Sequence, residues 1–186
     1  MCKISVALAT YNGEAFIGEQ LRSIINQLEE DSEIIISDNG STDKTVEIIN
    51  SFNDKRITLL HHPVKGLVSN FENALKKASG DIIFLSDQDD VWLENKVTVV
   101  KEYLKRYDLI ITDCKIVDEN LNVLHESFYA VKKSGKGFVK NLISNTYHGC
   151  TMAFRKELLT SRAITTRVIT TALCIPKQYW QVPISS

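Results

Sequence analysis

Residues 80–92, Gly-Asp-Ile-Ile-Phe-Leu-Ser-Asp-Gln-Asp-Asp-Val-Trp, run from an apolar segment directly into three carboxylates. A short apolar run between a glycine and polar residues is typical of a strand that is buried on both faces of a parallel sheet. Three carboxylates within four residues repel one another unless they are solvated or bound to a cation. The stretch therefore predicts a buried strand whose carboxyl end presents Asp87, Asp89 and Asp90.

Similar apolar runs alternate with helical patterns along most of the chain. Strands are predicted over residues 4–9, 33–37, 56–61, 81–86, 109–112 and 150–154. Helices are predicted over residues 14–28, 67–78 and 94–107, with a further helix that Ser41 or Thr42 is placed to cap. Repeated β-α-β units are typical of a mostly parallel sheet covered by helices on both faces. The sequence therefore predicts an α/β fold with three layers.

The remaining segments show weaker patterns. Residues 116–118 and 122–124 favour a small hairpin, residues 129–137 a loop, and residues 138–143 a short helix. From Leu158 onwards the 29 residues contain no Asp or Glu, and neither a helical nor an alternating period is present. We expect an organised domain over 1–159 and an atypical tail over 160–186, either poorly ordered or explained by a frameshift or truncation in the gene.

Composition limits the classes of function. The chain has 22 basic and 23 acidic residues and a net charge of −1, which gives no indication of a nucleic-acid partner. Its four cysteines form no C-x-x-C pair, so reduced thiols in a cytoplasmic protein are expected, and Cys150 is interpreted as packed in an apolar strand. The run at residues 4–9 is too short for a signal peptide, and no apolar stretch approaches the roughly 20 residues of a membrane span.

Three polar clusters follow predicted strands. Residues 10–14 (Thr-Tyr-Asn-Gly-Glu) follow the first strand, residues 38–43 (Asp-Asn-Gly-Ser-Thr-Asp) the second, and residues 87–90 the fourth. Ligands of open parallel sheets bind outside the carboxyl ends of the strands. We therefore expect the three clusters to converge into one ligand site.

The acidic cluster is suited to a hard divalent cation. Oxygen ligands from an Asp-x-Asp turn, completed by water and phosphate oxygens, suit Mg²⁺ or Mn²⁺. Such a metal would stabilise the charge on a leaving diphosphate. The alternative is a solvated acidic loop that caps the next helix. The position after a buried strand, beside two other polar loops, favours the metal.

The other two clusters offer hydrogen-bonding groups. The Asp38 carboxylate is placed to accept hydrogen bonds from a base or a ribose hydroxyl, or alternatively to cap the next helix. Thr10 and Asn12 bring polar side chains to the same edge. Gly13 permits a tight turn into a helix whose N-terminus favours an anion, with ordinary strand-to-helix punctuation as the alternative. Lys65 is interpreted as either a pyrophosphate contact or a solvated lysine.

The order and spacing of these clusters resemble family 2 glycosyltransferases. The matching blocks span about residues 1–159 and are residues 9–14, 37–43, 66–71 (Gly-Leu-Val-Ser-Asn-Phe), 80–92 and 145–159. The chain departs from the family at Asn39, where a second Asp is usual. The Asp-Gln-Asp-Asp-Val-Trp version is similar to a branch with many rhamnosyl and cell-surface polysaccharide transferases.

The resemblance implies a GT-A-type fold and metal-dependent transfer, by inversion, from a UDP- or dTDP-linked sugar to a saccharide or lipid-linked saccharide. It implies that Asp89 holds Mn²⁺ or Mg²⁺ and that Gly149 and Cys150 lie near the donor sugar and the acceptor. The residues it implies for nucleotide binding are Thr10, Tyr11, Asn12, Glu14, Asp38 and Asp87. Family members often act at the cytoplasmic face of the membrane, which implies peripheral membrane association.

The resemblance weakens after Glu157. Inverting transfer needs a base for the acceptor hydroxyl, which the family supplies as an Asp or Glu in this region. The chain has no acidic residue after Glu157, so no catalytic base is assigned. An inactive sugar-nucleotide-binding remnant is therefore the alternative function. A nucleotidyltransferase would need a basic loop after the first strand, and residues 10–14 contain no Lys or Arg.

Overall fold

Strands and helices alternate from Ile4 onwards in the computed structural model, which describes residues 2–118, 120–131, 149–160 and 179–182. The strands are β1 Ile4–Thr10, β2 Glu33–Asp38, β3 Ile57–His61, β4 Ile82–Ser86, β5 Leu109–Thr112, β6 Ile116–Val117, β7 Val123–His125, β8 Met152–Arg155 and β9 Tyr179–Val182. The helices are α1 Ile17–Ile25, α2 Thr45–Ser51, α3 Leu67–Leu75, α4 Lys96–Tyr103 and α5 Phe128–Val131.

Seven strands form one sheet in the order β3-β2-β1-β4-β8-β5-β9. Strands β1, β2, β3 and β4 pair with one another in parallel, and β9 is parallel to β5. Strand β8 lies between β4 and β5 and is antiparallel to both. The connection from β4 through α4 to β5 therefore passes over the position that β8 occupies. The predicted α/β fold with a mostly parallel sheet is confirmed.

The sheet is buried on both faces because its central strands consist mostly of apolar residues. Val6, Leu8 and Phe84 face a core formed with α1, α2 and α4. Ala7 and Leu85 face a second core formed with α3. Adjacent residues of a strand point to opposite faces, so continuous apolar runs supply both cores. The three predicted layers are therefore present.

Several element boundaries differ from the prediction. Helix α2 begins at Thr45, whose backbone N–H donates to Asp43 Oδ1 over 3.0 Å, so neither Ser41 nor Thr42 caps it. Helices α1, α3 and α4 are each shorter than predicted. The predicted loop 129–137 begins within helix α5, and the predicted helix 138–143 lies outside the described residues.

The last part of the chain departs further from the sequence pattern. A single 3-10 turn, Gly149–Thr151, precedes β8, so Cys150 lies in a turn and not in the predicted strand. Strands β6 and β7 pair antiparallel as the predicted hairpin. Strand β9 extends the sheet although the sequence showed no alternation there. Within the described segments, no helix is long and apolar enough to cross a membrane.

Candidate active site

The loops after β1, β2 and β4 meet at one edge of the sheet. Thr10 lies opposite Asp38 in the pairing of β1 with β2, and Leu8 lies opposite Ser86 in the pairing of β1 with β4. All three strands therefore end at nearly the same level. The expected convergence of the three polar clusters on one edge of the sheet is present.

A cavity of about 480 Å³ opens at this edge. It is within the usual size range of small-molecule and cofactor sites. Two of its walls come from the ends of β1 and β4, and a third from the segment that leads into α3. Its lining residues are Ala9, Thr10, Tyr11, Asn39, Lys65, Gly66, Leu67, Asn70, Asp87 and Gln88. Thr10, Tyr11 and Asp87 were predicted to bind the nucleotide.

Gln88 ties the acidic turn to the end of β1. Its Oε1 accepts hydrogen bonds from Thr10 Oγ1 at 2.7 Å and from the Tyr11 N–H at 2.8 Å, and its Nε2 donates to the Tyr11 carbonyl at 3.2 Å. A Cβ atom at Gly13 would collide with the Gln88 amide. Gly13 therefore leaves room for the Gln88 amide, which would have to shift to accommodate a larger residue. Gln88 lies within the motif of residues 80–92, but the sequence pattern indicated no role for it.

Two predicted nucleotide-binding residues contact the neighbouring loop in place of the cavity. Asn12 Oδ1 accepts from the Thr42 N–H at 2.8 Å, and Glu14 Oε2 accepts from the Lys44 N–H at 2.9 Å. These contacts hold the loop after β1 against the loop after β2. Neither Asn12 nor Glu14 lines the cavity, so their assignment to the nucleotide stays a prediction.

Asp38 is 2% exposed, and its carboxylate is occupied by its own loop. Asp38 Oδ2 accepts from the N–H groups of Gly40 and Ser41 at 3.0 and 2.9 Å, and Oδ1 accepts from the Ser41 hydroxyl at 2.5 Å. The neighbouring Asn39 lines the cavity instead. Its Nδ2 donates to the carbonyls of His62 and Val64, which holds the segment before α3 in place. The nucleoside role of Asp38 stays a prediction.

Asn70 is a cavity residue that the sequence analysis did not single out. Its Nδ2 donates to the Thr10 carbonyl at 3.1 Å and so supports the end of β1. Its Oδ1 is buried without a hydrogen-bond partner. Its only sequence signal is its place in the block 66–71, and the structure shows that this block forms the start of α3 beside the cavity.

The acidic turn carries unbalanced negative charge. Burial raises the pKa of the half-buried Asp87 to about 6, and Asp89 and Asp90 add to the rise against the hydrogen bond from the Gln88 N–H. Asp89 is exposed. A cation here would relieve both the burial cost and the repulsion.

The ligand set fits a cation that is completed by its substrate. The described residues contain no group of three His, Cys, Asp or Glu side chains placed to hold a metal. Mg²⁺ commonly binds through one or two carboxylates together with substrate phosphates and water. Asp87 and Asp89 supply hard oxygen ligands of that kind, whereas a site formed by the protein alone is absent from the described residues.

The turn Gly149–Thr151 lies beside the acidic turn. Burial raises the pKa of the half-buried Cys150 thiol, and the nearby Asp90 carboxylate, to which the thiol is hydrogen-bonded, raises it further. A thiol that is kept protonated is a poor nucleophile. Lys96 Nζ donates to the Cys150 carbonyl at 3.4 Å. Nothing in the sequence pattern indicated this lysine.

The model of the family described as glycosyl transferase family 2 matches residues 5–162. The chain belongs to this family. It is 32% identical over 173 residues to the dTDP-rhamnosyl transferase RfbG of Shigella flexneri, covering 82% of this chain and 55% of that protein. The glycosyltransferase chain thus spans about half the length of this curated relative.

Solved structures support the fold of this family 2 glycosyltransferase. The crystal structure of S. aureus TarS 1-349 in complex with UDP-GlcNAc has a TM-score of 0.70 at 20% identity and covers 99% of this chain and 59% of that chain. Glucosyl-3-phosphoglycerate synthase from Mycobacterium tuberculosis, in complex with Mn²⁺, UDP and glucosyl-3-phosphoglycerate, has a TM-score of 0.65 at 19% identity, with 98% and 70% covered. The predicted GT-A fold is confirmed.

Proposed function

We propose that this chain binds the donor in an enzyme that transfers a sugar from a UDP- or dTDP-linked donor. The acceptor is a saccharide or a lipid-linked saccharide, transfer inverts the anomeric centre, and the product is a cell-surface polysaccharide. The observation that carries the proposal is the cavity at the carboxyl edge of the sheet, which has hydrogen-bonding walls and adjoins the acidic turn 87–90. Membership in family 2 supports the same reaction class.

The cavity walls suit the parts of a nucleoside diphosphate. Tyr11 and Leu67 are exposed apolar side chains that offer contact area to a base and a ribose. Lys65 lines the same cavity and supplies a positive charge for a phosphate. On the opposite wall, Asp87 leads into the acidic turn. This arrangement favours a ligand with an apolar ring at one end and an anion that reaches the acidic turn through a cation.

Asp87 and Asp89 would hold Mn²⁺ or Mg²⁺ together with the donor diphosphate. When bound, the metal would stabilise the negative charge of the leaving diphosphate. Gln88 fixes the turn that carries both carboxylates to β1, so the two ligands are positioned before the donor arrives. Gly149 and Cys150 are proposed to lie near the donor sugar and the acceptor.

A second candidate function is donor binding without transfer. It is favoured by the composition of residues 158–186, which contain no Asp or Glu in the region where the family supplies its base. Turnover of a UDP- or dTDP-sugar by the purified chain would exclude it. We also propose that the protein acts in the cytoplasm with peripheral association at the inner membrane face, which fractionation of cells expressing it would test.

Calorimetry tests the metal–nucleotide site. UDP and dTDP are titrated into the protein with Mn²⁺, with Mg²⁺ and with EDTA, and at least one nucleotide is expected to bind only when metal is present. Asp89→Ala is expected to reduce that affinity at least about a hundredfold. Asp31→Ala removes an exposed carboxylate at the opposite edge of the sheet and is the matched control. Equal affinities of the two variants would contradict the role of Asp89.

A further inference from the structure

Lys96 begins α4 with its charged end turned inward. Its ammonium lies 4.7 Å from the centre of the Trp92 ring, within the range of a cation–π interaction. The same ammonium donates to the Cys150 carbonyl at 3.4 Å. Burial lowers the pKa of Lys96, and Asp90 is the first of the charged groups that oppose this shift. One side chain therefore contacts Trp92, two residues after the acidic turn, and the turn 149–151, which lies more than fifty residues further along the chain.

Trp92 and the turn 149–151, which Lys96 joins, are each held in place by other contacts. Trp92 is 4% exposed, packs against Phe84 with ring centres 5.2 Å apart, and donates its backbone N–H to Ser23 Oγ at 3.0 Å. On the other side, Thr112 Oγ1 donates to the Thr151 carbonyl at 3.2 Å, which fixes the turn 149–151 to β5. Lys96 lies between these two anchored parts.

A neutral side chain at position 96 would not serve the same purpose. The Cys150 carbonyl would lose its donor, and the partly buried Asp90 would lose the influence of a nearby positive charge. Lys96 also offsets one of the three carboxylate charges of the turn 87–90 and leaves two for a divalent cation. A lysine is therefore suited to this position both by geometry and by charge.

We propose that Lys96 is a positioning residue that holds the metal-binding turn 87–90 and the turn 149–151 in fixed relation, so that donor diphosphate and donor sugar are bound together. The proposal rests on the proposed function for its consequence. The contacts by which Lys96 connects the two turns are present in the protein without ligand, so they can be tested separately.

The tie is tested first without nucleotide. In the full chain carrying Cys2→Ser, Cys114→Ser and Cys174→Ser, Cys150 is the remaining thiol, and its alkylation rate by iodoacetamide is measured. Lys96→Met is expected to accelerate alkylation at least about tenfold, because the turn 149–151 is released. Loss of the nearby positive charge alone would disfavour the thiolate and slow the reaction, so acceleration reports exposure of the thiol.

Two controls separate this effect from general loss of stability. Lys101→Met removes a lysine from the same helix, where it forms an exposed ion pair with Glu29 at 2.9 Å, and it is expected to leave the alkylation rate unchanged. Lys96→Arg keeps the positive charge, and its alkylation rate is expected to stay within about threefold of the rate of the chain that keeps Lys96. Urea unfolding of each variant gives its free energy of unfolding, and from this the alkylation rate expected through the globally unfolded state. The measured alkylation rate of Lys96→Met must exceed that rate. If Lys96→Met does not fold, Lys96→Gln replaces it.

The consequence for ligand binding is measured with UDP and Mn²⁺. Lys96→Met is expected to weaken UDP binding in the presence of Mn²⁺ about tenfold, while Lys96→Arg and Lys101→Met stay within about threefold of the wild type. Failure of the wild type to bind UDP or dTDP would contradict the proposed function, whereas the alkylation rates would still decide the role of Lys96. Equal alkylation rates in Lys96→Met and Lys101→Met would overturn the proposal.

Discussion

Two carboxylates at opposite ends of the central strands are in opposite electrostatic states. Glu33 begins β2 at the amino edge of the sheet, and Asp87 follows β4 at the carboxyl edge. The pKa of Glu33 is lowered to about 2, whereas the pKa of Asp87 is raised to about 6. The difference arises from their surroundings, because the strands that carry them are equally apolar.

At the amino edge, hydrogen bonds overcome the effect of burial. Burial alone would raise the pKa of Glu33, but the Ser5 hydroxyl, the Ser79 backbone N–H and the Lys3 ammonium donate to its carboxylate at 2.5, 2.6 and 3.0 Å. These donors come from two segments, the start of β1 and the turn before β4. The ionised Glu33 therefore joins the start of β1, the start of β2 and the end of the α3 region.

At the carboxyl edge, burial is not compensated. Asp87 accepts a hydrogen bond from the Gln88 N–H at 3.0 Å but faces two further carboxylates. Charge at the amino edge therefore stabilises the fold, whereas charge at the carboxyl edge costs stability in the protein without ligand. Sites that conflict with local stability are where function is expected.

The largest stability effect is expected at the amino edge. Because the pKa of Glu33 is lower in the folded state, its contribution is full above about pH 4.5 and is lost as the pH falls towards about 2. Glu33→Gln is expected to lower the free energy of unfolding by about 2 kcal/mol at pH 7, allowing for solvent screening, and by little at pH 2.5. Urea unfolding at both pH values measures this change. Glu30→Gln, in an exposed ion pair with Lys55, is the control and should change little.

A smaller effect of opposite sign is expected at the carboxyl edge. The pKa of Asp87 is higher in the folded state, so its cost to stability appears as the pH rises from about 3.8 to about 6. In EDTA, Asp87→Asn is expected to raise the free energy of unfolding by about 1 to 2 kcal/mol at pH 8 and to leave it unchanged near pH 3.5. Asp89→Asn, at an exposed position, serves as the comparison. Destabilisation by Asp87→Asn at pH 8 would contradict the inference that the ionised Asp87 lowers the stability of the protein without ligand.

The smallest stability effect is expected at Gln88. Its hydrogen bonds to Thr10 and Tyr11 are neutral and lie at the open edge, so Gln88→Ala is expected to cost within about 1 kcal/mol of unfolding free energy. The same change releases the acidic turn from β1, and UDP affinity in the presence of Mn²⁺ should fall about tenfold. A loss of stability without loss of affinity would show that Gln88 supports the fold alone.

The sequence was sufficient for the parts of the fold that depend on local pattern. Apolar runs predicted β1 to β5, and the polar residues after them predicted the edge at which the cavity lies. It did not predict the place of β8 between β4 and β5, because an antiparallel strand that returns from far along the chain leaves no local signal. The strand that begins at Met152 was predicted to begin at Cys150, so the place of Cys150 in a turn was missed.

Within the candidate site, the sequence predicted which residues gather but not which way they face. Thr10, Tyr11 and Asp87 line the cavity, whereas Asn12 and Glu14 contact the loop after β2. Such orientations depend on partners some thirty residues away. The inward-facing Lys96 could not be predicted, because a lysine on an amphipathic helix is ordinarily exposed.

We propose that the carboxyl edge of the sheet, and not the amino edge, binds a metal–nucleotide complex. Amide ¹⁵N–¹H spectra recorded during titration with UDP and Mg²⁺ test it most directly. We predict shifts for residues 10–13, 65–70 and 87–90 that disappear in EDTA, while the amides of Lys3, Glu33 and Ser79 stay unchanged. Shifts confined to the amino edge, or no shifts with UDP or with dTDP, would contradict the account.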